Sequence, residues 1–211
     1  MKQFQHIDYF EKNLGLPTIA FDKLDGSNLR FEWSRKRGFY KFGTRRCIIE
    51  EKTEFYGAGI RIFLDKYASE LDKVFRYEYK NTESFICYGE YFGPNSRFGF
   101  HDPTDKMDVV LFDIDQHKRG LIHPREFIKV FGSLHIPKVI YDGVLSHALY
   151  DKVYSNSVEG FENQLQEGVI CKTTINDNNF GNLHYCKIKT KDWLEGLKIK
   201  CGEERLKEEF I

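Results

Sequence analysis

No segment of this chain is long and apolar enough to span a membrane, and the opening Met1-Lys2-Gln3-Phe4-Gln5-His6 is not followed by the apolar run of a secretory leader. The expectation is a cytoplasmic protein with no membrane partner. Metal-binding cysteine spacing is missing too. The five cysteines stand at 47, 87, 171, 186 and 201, with no CxxC, no His-x-His and no zinc-ribbon spacing, which argues against the usual zinc modules and for reduced thiols. Cys47, Cys87, Cys171 and Cys186 lie in apolar, strand-like stretches, where cysteine usually serves as a small buried hydrophobe. Neither sign of charge is in excess: Lys+Arg and Asp+Glu both number 32, so any attraction to phosphates has to come from local clusters. Repeats, low-complexity tracts and Pro/Gly/Ser linkers are also absent.

What the chain does have is aromatic residues. They make up 16% of its 211 residues, with 19 Phe and 12 Tyr, far from the composition of a disordered chain. The length suffices for one large domain or two small ones with a sizeable core. The apolar run Leu16–Phe21 reads as a strand, and Leu29–Ser34 and Phe39–Gly43 form a hairpin turning at Arg37-Gly38. Residues 54–80 carry Phe55, Ile60, Ile62, Phe63, Tyr67, Leu71, Val74 and Phe75 at helical spacing. Strands follow at Ser84–Tyr91 and Val109–Asp115, separated by a Gly/Pro/Asp-rich loop at Gly93–Asp108. Pro124 opens a helix through Phe131, as proline suits a first turn, and Ser146 caps a helix to Tyr154. Lys138–Tyr141, Gly168–Thr173 and Leu183–Thr190 read as strands, the last two joined by the polar turn Asn176–Asn182. Residues 191–210 form a charged helical tail with Trp193, Leu194, Leu197, Ile199, Leu206 and Phe210 as its apolar points. Strands dominate and helices cover them, so the expected class is α+β on antiparallel sheets.

Chemistry enters with Lys23-Leu24-Asp25-Gly26-Ser27-Asn28, at the end of the first strand. A lysine there is a candidate nucleophile. With a free pKa near ~10.4 it has to shed a proton, helped by burial or by neighbouring cations, for which Arg45, Lys187 and Lys189 are candidates. Asp25 could hold the lysine, Gly26 permits close backbone approach, and Asn28 could bond ligand hydroxyls or phosphate. Lys187 and Lys189 flank Ile188, so on a strand both ammonium groups share one face, and a phosphate would relieve their repulsion. Glu90, in Gly89-Glu90-Tyr91-Phe92-Gly93, and Glu167, before Gly168-Val169-Ile170, are further polar residues set against apolar strands. Taken singly, each has a plain alternative: a charged turn, a solvated strand end or the wet face of a sheet. His101 and His184 are ordinary loop and strand histidines unless they touch a nucleotide or a strand end.

In order and spacing, Lys23-Leu24-Asp25-Gly26, Gly89-Glu90, Leu111-Phe112-Asp113, Glu167-Gly168-Val169-Ile170 and Lys187-Ile188-Lys189 resemble the nucleotidyltransferase domain shared by ATP-dependent DNA and RNA ligases and mRNA-capping guanylyltransferases. The resemblance covers roughly residues 4 to 190. Lys-Leu-Asp-Gly-Ser-Asn and Gly-Glu-Tyr-Phe-Gly are most similar to phage-type RNA ligases that repair nicks, and Asn28 stands where capping enzymes usually carry Arg. The resemblance implies an ATP-grasp-like fold and a phage- or virus-encoded origin. It also implies an ATP-dependent RNA ligase that joins a 5′-phosphate to a 3′-hydroxyl. Lys23 would become lysyl-AMP. Arg45, or Arg46 in its place, would contact phosphate or ribose, Glu90 would hold ribose hydroxyls, and Phe112 would stack on adenine. Glu167 would bind Mg²⁺ or Mn²⁺ through water, and Lys187 and Lys189 would cradle the α-phosphate. The expected organisation is an adenylation domain at 1–190 with a helical tail at 191–211 and no OB-fold: a minimal ligase, a fragment of a longer one, or a ligase whose RNA (or DNA) ends need a clamp lent by a protein partner. The alternatives are a DNA ligase core, a GTP-dependent capping enzyme, and an inactive nucleotide- or nucleic-acid-binding module.

Overall fold

A computed structural model describes residues 4, 5, 7–94, 101, 104–174 and 183–208. In chain order its elements are β1 (Pro17–Lys23), β2 (Ser27–Ser34), β3 (Gly38–Thr44), β4 (Ile48–Ile49), α1 (Tyr56–Tyr77), β5 (Ser84–Phe92), β6 (Asp108–Gln116) and β7 (Gly120–Leu121). They continue with α2 (Pro124–Phe131), β8 (Val139–Val144), α3 (His147–Tyr154), β9 (Gly168–Thr174), β10 (Leu183–Lys189), α4 (Lys191–Cys201) and α5 (Glu203–Glu208). The class is α+β, and every strand pairing recorded within the two sheets is antiparallel. The described residues fall into two compact units, one spanning Met1–Phe4 and Asp25–Ile136, the other Gln5–Leu24 and Pro137–Ile211.

The first unit is a six-stranded sheet in the order β4-β3-β2-β5-β6-β7. Alternation along β2 and β5 turns Leu29, Phe31, Trp33, Phe85, Cys87 and Tyr91 to one face. Against them lies the stripe Ile60, Phe63, Tyr67, Leu71 and Phe75 of α1, spaced three and four apart as the helical period demands. The rings interlock closely: Phe31 stacks on Phe63 at 3.6 Å between centroids and Phe75 on Phe85 at 3.9 Å. Pro124 begins α2, whose first turn is held by the His123 ring accepting from the Arg125 amide.

The second unit is a four-stranded sheet in the order β10-β9-β1-β8. One face buries Ala20, Val169, Cys171, Cys186 and Ile188 with Leu149 and Val153 of α3. That helix starts as expected, the Ser146 hydroxyl accepting from Leu149 N. Gly168 opens β9 with φ +142°, and a Cβ there would lie 2.1 Å from the Ile188 carbonyl oxygen. Gly168→Ala combines a clash with backbone in a rigid ladder and a conformation foreign to L side chains. It should lower unfolding free energy by about 2–4 kcal/mol, read from chemical denaturation. A midpoint like that of the unmodified protein would show that β9 does not need this approach.

Some expectations are corrected. Cys47 is exposed, because it sits on the turn after β3 and not inside a strand, whereas Cys87, Cys171 and Cys186 are buried; all five cysteines are free. In the tail, Trp193, Leu194 and Leu197 are buried, but Ile199 is 88% exposed. It lies two residues beyond Leu197, about 200° around a helix, and so off the buried stripe. Gly202, at φ 86°, separates α4 from α5. The two-residue strands β4 and β7 and the 3-10 turn Phe10–Asn13 are too short for periodicity to show. Half of the loop at 93–108, the turn at 176–182 and Phe210 lie outside the described residues.

Candidate active site

Lys23 is the last residue of β1, and its cross-strand neighbour on β9 is Gly168, which in turn faces Lys189 on β10. The row Lys23–Gly168–Lys189 therefore has no side chain at its centre. Beside that gap the carboxylate of Glu167 reaches both lysines: Oε2 lies 2.6 Å from Lys23 Nζ and Oε1 lies 2.7 Å from Lys189 Nζ. The Glu167 side chain is only 4% exposed, that of Lys189 7% and that of Lys23 19%. An isolated carboxylate so buried would cost several kcal/mol, roughly the scale that paired ammonium groups offset. The two lysines gather positive charge around the Glu167 carboxylate at the end of the sheet. The next row along the same face is Phe21–Ile170–Lys187, which adds a half-buried lysine. An anion is the natural occupant of such a surface. Asp22, half-buried on the opposite face, has its carboxyl pushed up by burial and pulled down by Lys138, and the Glu167 charge pushes it up further.

The C-terminal tail contributes directly to this group. Lys189 Nζ lies 3.5 Å from the centre of the Trp193 ring on α4. Thr190, between them, is buried: its amide donates to Glu167 O at 3.0 Å and its hydroxyl to Gln166 O at 3.1 Å. The same hydroxyl accepts from Trp193 N at 3.3 Å, capping α4. Composition marked Trp193 as an apolar point only. The signal that could have found it is a threonine cap directly after a paired-lysine strand, with an aromatic three residues on.

In the other unit, Asn28 and Glu90 are direct cross-strand partners on β2 and β5. Asn28 Oδ1 is buried with no hydrogen-bond partner among the described residues, and so remains available to a ligand donor. Phe112 occupies a register shift in β6. It packs edge-on to Phe4 at 5.3 Å and nearly parallel to Tyr88 at 6.3 Å. Burial first, then the charges of Asp115 and Asp113, raise the Tyr88 phenol, while Arg30 opposes them. Arg30 follows Asn28 by two on the same face, its guanidinium lowered chiefly by burial. It donates to the Thr44 carbonyl at the root of the turn that carries Arg45 and Arg46, both exposed. Strand alternation (Asn28, Arg30, Glu32) was the available signal for it. Gly26 has a structural reason to lack a side chain, since a Cβ would lie 2.5 Å from Tyr91 O. The Asp25 carbonyl accepts from His101 Nε2 at 2.7 Å. His184 shares its face of β10 with Cys186 and Ile188, away from Lys187 and Lys189.

The structure thus brings Lys23, Glu167 and Lys189 into contact, sets Lys187 on their face, and pairs Asn28 with Glu90. Among the described residues no group of three or more His, Cys, Asp or Glu is arranged to hold a metal ion. Glu167 is a single carboxylate with both oxygens engaged by lysine. That donor set fits a hydrated divalent ion carried largely by phosphate oxygens, not a dedicated protein cage. Among the described residues no helix is long and apolar enough to cross a membrane.

A family model described as RNA ligase matches residues 17–189. Comparison with curated proteins finds no match. Among solved structures the chain is similar to a Naegleria gruberi RNA ligase with PPi, at TM-score 0.67 and 18% identity, covering 95% of this chain and 59% of that one. A variant of that ligase with AMP and Mn gives TM-score 0.66 at 15% identity, covering 93% of this chain and 58% of the other. A putative ATP-dependent DNA ligase from Aquifex aeolicus gives TM-score 0.63 at 16% identity, covering 100% of this chain and 57% of its own. The chain spans less than two thirds of the length of each.

Proposed function

The chain belongs to the RNA ligase family, and from that premise we propose that it is an ATP-dependent RNA ligase working through lysyl-AMP on Lys23. The observation that carries this reading is the Lys23–Glu167–Lys189 array, its glutamate and Lys189 buried, with Lys187 on the same face. The neutral Lys23 amine attacks the α-phosphorus of ATP, the N–P bond forms, the bond to the bridging oxygen breaks, and pyrophosphate leaves. The ion pair with Glu167 favours the protonated amine, so attack requires that contact to loosen. An incoming triphosphate competes for Lys189 and Lys187, which then face charge growing on the phosphoryl oxygens. A divalent metal held toward Glu167 through water would neutralise part of the same charge. Glu90 and Asn28 are assigned the ribose hydroxyls, Phe112 the adenine face, Arg45 or Arg46 a phosphate or the ribose, and Asp25 and Gly26 the approach to the nucleotide. A 5′-phosphate oxygen of the RNA end then attacks the same phosphorus, the N–P bond breaks, and the Lys23 amine leaves and picks up a proton. A 3′-hydroxyl displaces AMP from the activated end to seal the strand.

Adenylylation is measured separately from sealing, because the matched structures are much longer than this chain. The protein incubated with ATP labelled at the α-phosphate and Mg²⁺ or Mn²⁺ should gain acid-labile label, and should seal nicked RNA duplexes in preference to nicked DNA. Label from GTP alone would point to capping chemistry, and preferential sealing of DNA to a DNA ligase. No label from either nucleotide, on folded protein, would leave only a binding module.

A further inference from the structure

We propose that Trp193 is a positioning residue for Lys189, so that helix α4 completes the phosphate-facing array and does more than cover the sheet. The inference rests on the reading of Lys23 as the AMP acceptor. It begins from geometry: Lys189 Nζ lies 3.5 Å from the indole ring centre and 2.7 Å from Glu167 Oε1, so the ammonium is gripped between a π face and a carboxylate. Lysine has a flexible four-carbon stem, and a point charge that has to meet a phosphate gains from being held in one place. The indole attracts the ammonium through its quadrupole, most strongly when water is excluded, and both residues are buried.

The ring is itself held from the glutamate side. Thr190 bonds the carbonyls of Glu167 and Gln166 and caps the helix turn that carries Trp193. Glutamate, lysine, indole and threonine therefore form a closed loop of contacts, in which displacing the ring displaces the ammonium. Trp193 also packs with Leu194 and Leu197, and Leu206 rests on that cluster. The two roles are separable, because packing needs apolar volume while the ammonium needs a π face.

The test measures single-turnover lysyl-AMP formation for Trp193→Phe and Trp193→Leu, each alone and combined with Lys189→Met, with melting temperatures recorded alongside. Trp193→Leu should be about tenfold slower and Trp193→Phe about two- to threefold slower. In the Lys189→Met background the leucine penalty should shrink to within about twofold, since the ammonium that the ring positions is then absent. If the leucine variant melts below assay temperature, Trp193→Met takes its place. Leucine at the unmodified rate, leucine and phenylalanine equally slow, or a leucine penalty undiminished with Lys189→Met would each overturn the inference. Those results leave the ligase reading intact when the unmodified protein labels and Lys23→Ala does not. Absence of label in the unmodified protein would overturn both.

Discussion

Lys23→Ala is expected to abolish labelling from α-labelled ATP, a loss of at least about 10³-fold, while the protein stays folded. Alanine offers no amine, so no N–P bond can form. Stability should fall only modestly, by about 1–2 kcal/mol, because Glu167 keeps its 2.7 Å contact with Lys189 and is not left as an uncompensated charge. Lys23→Arg separates the two properties of lysine. A guanidinium can still pair with Glu167, yet it stays protonated and is not nucleophilic at neutral pH. It should preserve the denaturation midpoint and still give no label. Label on the arginine protein would mean that another residue accepts the nucleotide, and the assignment of Lys23 would fall.

Glu167→Gln should have the second-largest effect, on stability and on activity together. Removing the shared carboxylate leaves Lys23 and Lys189 facing each other across Gly168 with a neutral amide between them. Breaking a buried pair in this way typically costs about 3–5 kcal/mol. Because the lost charge sat between two ammonium groups, inorganic phosphate or pyrophosphate should restore part of the loss. The melting temperature of Glu167→Gln should rise more with added phosphate than that of the unmodified protein. Adenylylation should fall by about 10²-fold or more, as both lysines lose the group that orients them. Unchanged melting in phosphate-free buffer would show that the carboxylate does not hold the lysines in solution.

The local rules explain why much of this could be read in the chain. Pro124 and Ser146 start their helices for reasons confined to one turn of backbone. The stripe Ile60–Phe75 and the alternation Lys187-Ile188-Lys189 follow from periods of 3.6 and 2. The candidate residues were legible because ordered, widely spaced short motifs are improbable together even when each is ordinary. What could not be read depends on partners remote in sequence. Cys47 looked like a strand cysteine because the end of β3 is set by pairing with β2, not by local composition. Arg30 looked like one residue of a hairpin until its bond to Thr44 showed it bracing the arginine turn. Gly168 read only as the first residue of a strand until the backbone of β10 occupied the place of its missing side chain.

From the sequence alone came the class of the fold, a candidate nucleophilic lysine at a strand end, and a set of polar residues proposed to serve a nucleotide. These depend on residue type and on short-range periodicity, which the chain carries along its length. Tertiary structure alone decided that Glu167 stands between Lys23 and Lys189, and that Trp193 from the tail closes on Lys189. The Glu167 contacts join residues far apart in the chain and exist because sheet register brings β1, β9 and β10 side by side, whereas Trp193, four residues after Lys189, is set by the Thr190 cap tied back to Gln166 and Glu167. A carboxylate and two ammonium groups attract strongly only at close range and away from water, and folding supplies both conditions.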